Sequence, residues 1–248
     1  MPRTHASLPR LFVEPGLAAG GEVALDADRS LYLATVLRKA VGDEVVLFNG
    51  RDGAWLGRLT QAAKRHVVIA LDRQIAPQPA PANLWYGFAP LKAARLDYVV
   101  QKATEMGVSA IQPVITRFTQ GKAPAARLIA NAIEAAEQCE VLNVPAILPE
   151  IALPRLLADW KATQGDRLLV LGDEAAPSAS PVGRLAAVAG RPIGLLVGPE
   201  GGFADEEREL LLSQPFVVPI SLGPRILRAD TAAVAALAVI QSIIGDWR

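Results

Sequence analysis

The sequence predicts an α/β protein, with a mostly parallel sheet covered by helices on both faces and a smaller β-rich domain in front of it. Three observations lead there. The segment Ala76-Pro77-Gln78-Pro79-Ala80-Pro81-Ala82 divides the chain, because clustered prolines favour extended backbone and cannot continue a helix. Before it, short β-patterned runs are separated by turns. After it, apolar runs alternate with helical patterns, which implies parallel strands joined by crossover helices.

In the first domain, residues 1–75, strands are predicted at Val45–Phe48, Ala54–Leu59 and His66–Leu71, with Asn49-Gly50 as a turn. A helix over Ser30–Ala40 presents Leu31, Ala34, Val36 and Leu37 on its apolar side. Together these fit a small β-barrel, or a β subdomain with no binding role. The linker covers 76–82 and the second domain 83–248. There, strand Leu84–Ala89 precedes a helix from Leu91 to Met106 that Gly107 stops. Leu96, Val99, Val100 and Ala103 form its apolar face, and Arg95, Lys102 and Glu105 a mixed-charge face read as solvated. Strand Ala110–Thr116 follows, then a helix from Pro124 to Glu140, with Ile129, Ala132, Ala136 and Cys139 read as its core stripe. Further strands fall at Leu168–Leu171, Ile193–Val197 and Val217–Ile220. The last helix, Ala232–Ile244, is apolar nearly all round and is predicted to be buried, with Thr231 or Asp230 as its cap. Its alanines permit close helix approach, within a core or at a dimer interface.

Composition narrows the function. The 248 residues are 51% hydrophobic and 20% charged, and 25 Lys/Arg balance 25 Asp/Glu. That excludes general disorder and a protein coated in basic patches. Residues 1–80 hold 10 Lys/Arg against 8 Asp/Glu, leaving 15 against 17 in the remainder. Any nucleic acid would therefore meet local patches rather than a global field. A single cysteine excludes an internal disulfide, and with two distant histidines it offers no zinc spacing. The longest apolar stretch is too short to span a bilayer. No metal, no membrane and a cytoplasmic location are the expectations.

Two loops carry the chemistry. Gly198-Pro199-Glu200-Gly201-Gly202-Phe203 follows one apolar strand, and Leu222-Gly223-Pro224-Arg225-Ile226-Leu227-Arg228 follows the next. Open α/β sheets bind ligands at the carboxyl ends of their strands, and glycine lets backbone groups approach a ligand closely. The first loop is neither a dinucleotide fingerprint nor a P-loop. A plain strand-to-helix turn capped by Asp205 accounts for Glu206 and Glu207 but not for Pro199, Glu200 and the paired glycines. Carboxylates at that helix start repel polyphosphate and suit a cationic ligand without phosphate. On residue type alone, the arginines of the second loop are as readily solvated as ligand-facing.

The two loops together resemble those of the bacterial 16S rRNA uridine-N3 methyltransferases of the SPOUT superfamily. Pro9-Arg10-Leu11-Phe12, Val36-Leu37-Arg38-Lys39-Ala40-Val41-Gly42-Asp43, Lys102–Pro113 and Glu134–Cys139 with Val144-Pro145 are similar to further family blocks, in the family's order. Tyr32 stands where many relatives carry histidine, and Val141 where many carry arginine. The resemblance implies a SPOUT-type trefoil-knotted α/β domain behind a PUA-like β-barrel, acting as a homodimer. It implies methyl transfer from S-adenosylmethionine to N3 of a uridine in 16S rRNA of the small ribosomal subunit. The cofactor site implied comprises Leu171, Gly172, Gly198, Pro199, Glu200, Gly201, Gly202, Leu222, Gly223, Ile226, Leu227, Arg228 and Thr231. Arg228 stabilises charge on a uracil oxygen and Glu200 accepts the proton in this reading, while Arg10, Arg38, Lys39, Arg117 and Lys122 contact RNA. A SPOUT enzyme acting on tRNA ribose or guanine, a non-catalytic RNA-binding assembly factor, and a small-molecule α/β enzyme are the alternatives.

Overall fold

The structure is a computed structural model that describes residues 5, 7–176 and 180–247. The chain divides into two compact units, one of residues 1–80 with 136–143 and one of 81–135 with 144–248.

The first unit holds a five-stranded sheet in the order β1 (Arg10–Phe12), β3 (Glu44–Phe48), β4 (Ala54–Ala63), β5 (His66–Ala76), β2 (Glu22–Ala24). Among the described residues only β1 and β3 run parallel. Leu11, Val23, Val45, Leu47, Leu59, Val67 and Ile69, drawn from all five strands, share one core. Full burial of each such side chain contributes roughly 1.5–3 kcal/mol. Among the described residues no ladder joins β1 to β2, so the expected barrel is open at that seam. Apolar runs between turn residues revealed β3, β4 and β5, whereas β1 and β2 are three residues each and too short to stand out. The expected helix over Ser30–Ala40 starts earlier and is not uniform. It is α-helical over α1 (Ala27–Leu31), capped by the Asp26 carboxylate, and then widens to a π-helical turn over Tyr32–Val36. The Asn49-Gly50 turn is built by the Asn49 side-chain carbonyl, which accepts from the Arg51 and Asp52 amides. Residues 136–143, placed by sequence in the second domain, cluster with this unit, where the Glu137 carboxylate accepts from the Phe12 amide at 2.8 Å.

In the second unit a parallel sheet runs β12 (Val217–Ile220), β10 (Leu168–Gly172), β11 (Ile193–Val197), β6 (Leu84–Phe88), β7 (Ala110–Ile115), β8 (Ala146–Ile147), with β9 (Ile151–Ala152) also on β7. Alternate residues of its strands enter two cores. Leu84, Tyr86, Phe88, Val170 and Leu195 face α2 (Ala93–Glu105), α5 (Pro181–Ala186) and α7 (Ala229–Ile244), and α3 (Ala125–Cys139) adds Leu128 and Ala132. Trp85, Leu169, Leu171 and Leu196 face α4 (Leu153–Gln164) and α6 (Asp205–Leu212). Gly194 makes room there, since a Cβ on it would lie 2.9 Å from the Trp85 ring.

Four expectations about helices are corrected. Cys139 and Ile129 are exposed rather than core, because the buried stripe of α3 runs through Leu128, Ala132 and Ala136. The last helix is buried on one side only. Ala229, Ala233, Ala236, Leu237 and Ile240 face the core, while Val234, Ala235 and Ala238 are half-exposed. Its N-cap is Arg228, without a side-chain cap bond, so neither Thr231 nor Asp230 caps it. Ala204 likewise precedes α6 where Asp205 was expected, its amide held by the Glu207 carboxylate at 3.1 Å.

Candidate functional site

The pairing registers bring three strand ends level. Gly172 at the end of β10 lies opposite Ile220 at the end of β12, and Leu171 opposite Leu196 of β11. The two glycine loops and Leu171-Gly172 therefore leave one edge of the sheet side by side. Leu171 and Pro199 are buried; Gly172, Gly198, Gly202, Leu222 and Leu227 are half-buried; Glu200, Gly201, Gly223, Arg228 and Thr231 are exposed. Ile226 is 85% exposed, an apolar side chain with no packing of its own.

Glycine is required here by backbone conformation. Gly202 and Gly223 have φ of +72° and +104°, a region that L side chains rarely adopt, and nothing lies within 4 Å of the Cβ position of Gly223. Bare backbone thus faces open space at the second loop. The Cβ position of Gly201 lies 3.3 Å from that of Phe118 in the loop after β7. The same loop is pinned by the Glu207 carboxylate, which accepts from the Arg117 amide at 2.8 Å.

Three further residues at or beneath the site were left by the sequence among ordinary surface or core positions. Asp173, buried just past β10, accepts from Arg208 Nε and Nη2 at 3.1 and 2.9 Å, which raises the Arg208 pKa. Arg95, from the face read as solvated, pairs with Glu200 at 3.1 Å and approaches Asp230 at 3.9 Å. Tyr86 is fully buried, and desolvation, with a smaller contribution from the Asp230 charge, pushes its phenol up. An acid immediately after a strand was a usable signal for Asp173. Arg95 had none, since its partners are 105 and more residues away.

The proposed RNA-contact residues fall in both units. Arg117 and Lys122 are exposed in the second. In the first, Arg38 is exposed with a left-handed φ of +53°, and Lys39 is half-buried. Arg10 differs: its guanidinium lies 5.8 Å from the Phe48 ring centroid, and its Nε is buried without a hydrogen-bond partner. Desolvation lowers its pKa, opposed by Glu140. That is a packing environment more than a phosphate contact.

A groove of about 360 Å³ opens at the opposite end of the sheet, lined by Leu84, Arg191, Ile193, Gln241 and Asp246 among others. It lies at the amino ends of β6 and β11, where this class of sheet does not place its ligand chemistry, so the glycine loops define the candidate site. No cluster of three or more His, Cys, Asp or Glu side chains is placed to hold a metal among the described residues. No helix among them is long and apolar enough to cross a membrane.

Comparison with known proteins agrees with this architecture. Residues 78–241 match the RNA methyltransferase domain family, and residues 25–72 the RNA methyltransferase PUA domain. The chain is 33% identical to ribosomal RNA small subunit methyltransferase E of Rickettsia conorii, with 94% of each chain covered. It is 32% identical to the protein of that name from Synechocystis, over 95% of this chain and 78% of the relative. The crystal structure of the Neisseria gonorrhoeae protein of that name, bound to S-adenosyl methionine, superimposes with a TM-score of 0.83 at 27% identity over 97% of this chain and 100% of that one. With the parallel sheet, its glycine loops and the separate β-rich unit, these matches establish that the chain belongs to the RNA methyltransferase family.

Proposed function

We propose that this chain transfers a methyl group from S-adenosylmethionine to N3 of a uridine in 16S rRNA of the small ribosomal subunit. One observation carries the reading: glycine loops at level strand ends β10, β11 and β12, bordered by carboxylates rather than by a phosphate cradle. The residues fit the ligand. Gly223 offers bare backbone to open space, and Glu200, Asp230 and the acidic start of α6 (Asp205, Glu206, Glu207) suit a cation and repel polyphosphate. S-adenosylmethionine supplies a methyl group on a positively charged sulfur.

The chain's own residues then have two tasks. The loops hold the reacting atoms in line, which converts an encounter into an intramolecular geometry. The uracil must be unpaired, because N3 lies on its Watson–Crick edge, and must lose the N3 proton. Arg228 stands exposed at the start of α7 and is assigned to the charge that develops on a uracil oxygen. Glu200, the assigned proton acceptor, is held by Arg95. The RNA is held by Arg38 and Lys39 in the first unit and by Arg117 and Lys122 in the second, while Arg10 supports the strand beneath. The domain division 1–75, 76–82 and 83–248 gives the first part a role in RNA capture alone and places the chemistry, with the Arg117 and Lys122 contacts, in the last. The knotted crossing fits α7, which leaves the edge strand β12 yet packs on β11 and α2. A homodimer through the half-exposed side of α7, in the cytoplasm, completes the reading.

Calorimetry with S-adenosylmethionine, followed by mapping of 16S rRNA methylation in a strain lacking the gene, tests this. Micromolar binding and loss of one N3-methyluridine that the wild-type gene restores are expected. No binding, or an unchanged rRNA, overturns it.

A further inference from the structure

We propose that Arg95 is a positioning residue that ties the two cofactor loops together, an inference that rests on the cofactor reading above. Arg95 sits in the first turn of α2, where its amide already bonds the Lys92 carbonyl. A cation there faces the positive end of the helix dipole, a location that helix electrostatics disfavours. What holds it instead comes from elsewhere in the chain. Its Nη1 lies 3.1 Å from the Glu200 carboxylate on the loop after β11, and its Nε 3.9 Å from the Asp230 carboxylate at the start of α7. One guanidinium thus hydrogen-bonds the first glycine loop at Glu200 and attracts Asp230, in the first turn of α7 directly after the second loop, through charge alone.

The pairs are only half-exposed to exposed, with side chains 35%, 39% and 18% accessible for Arg95, Glu200 and Asp230. Ion pairs so placed contribute little to global stability. Their effect is local: the first loop leaves β11 through Gly198, and the second turns at Gly223, three residues past β12, where φ is +104°. One arginine between two carboxylates also leaves the cluster a net negative charge beside the site of a cationic ligand, so the clamp does not cancel the attraction.

Hydrogen exchange on the ligand-free protein tests the clamp directly, by comparing wild type with Arg95→Ala and Arg95→Lys. Arg95→Ala should speed exchange in residues 198–203 and 222–230 while amides of β10 and β11 keep their rates, and Arg95→Lys should be intermediate. Calorimetry should show S-adenosylmethionine affinity falling about three- to tenfold in Arg95→Ala, with little further loss when Glu200→Ala is added. Unchanged exchange in both loops overturns the proposal, as does a loss of affinity that simply adds to that of Glu200→Ala. Should the wild type bind no S-adenosylmethionine while Arg95→Ala still loosens both loops, the cofactor reading fails and the clamp stands.

Discussion

The two ends of the parallel sheet are built on opposite plans. At the amino end, long side chains close the fold against backbone. Arg167 donates to the Asn83 and Ile193 carbonyls at 3.0 and 2.8 Å and to the Asn83 side chain at 2.6 Å. Gln241, buried in α7, donates to the Met106 carbonyl and accepts from the Asp246 amide. At the carboxyl end the residues beyond β11 and β12 are glycine, proline and exposed charge, and Ile226 stands in solvent. One end is tied by long side chains; the other is shaped by glycines of positive φ at Gly202 and Gly223. The difference teaches that one sheet can be braced at one end and present accessible loop surface at the other, since side-chain hydrogen bonds fix buried backbone while left-handed glycines expose it.

The largest break of that contrast should come from Gly223→Val. A branched side chain cannot adopt a φ of +104° without strain, so the second loop must move and S-adenosylmethionine affinity should fall by about a hundredfold, close to 2.7 kcal/mol. Isothermal calorimetry measures it, and circular dichroism should show the fold intact. Arg167→Ala should act the other way round. It removes the guanidinium bonds to the Asn83 and Ile193 carbonyls and to the Asn83 side chain and should lower stability by about 2 kcal/mol in urea titration, with affinity per folded molecule unchanged. If affinity falls as much as stability, the two ends are coupled and the contrast is wrong. Phe118→Ala removes the ring beside Gly201 and should weaken S-adenosylmethionine by about threefold while altering the urea midpoint little. Thr231→Ala sharpens the picture at the small end. Because Arg228 is the N-cap and Thr231 is exposed in the first turn, its loss should cost under about 0.5 kcal/mol, where a true capping threonine costs more.

Charge introduced on α7 separates packing from association in the same way. Ala236 and Leu237 lie in the core, so a glutamate there should prevent folding. Ala235→Glu, on the half-exposed side, should leave the fold and yield a monomer by light scattering if that side is the dimer contact; a wild type that is itself monomeric removes the interface.

What the sequence determined by itself follows from periodicity and backbone chemistry, which are local. Short apolar runs bounded by turn residues located β3, β4, β5, β6, β7, β10, β11 and β12, and the glycines after the last two located the loops, because strand pattern and turn chemistry are written within a few residues. It did not reveal β1 and β2, which are too short to alternate, nor that residues 136–143 join the first unit through Glu137. Helix caps were missed for a related reason: Arg228 and Ala204 hold those positions by backbone geometry, not by side-chain type. Only the tertiary structure decided which side of α7 is buried, that Cys139 is exposed, and that Arg95 meets Glu200 and Asp230. Each depends on contacts between segments about a hundred residues or more apart or on which stripe of a helix meets the sheet, and a one-dimensional pattern carries neither distance nor direction.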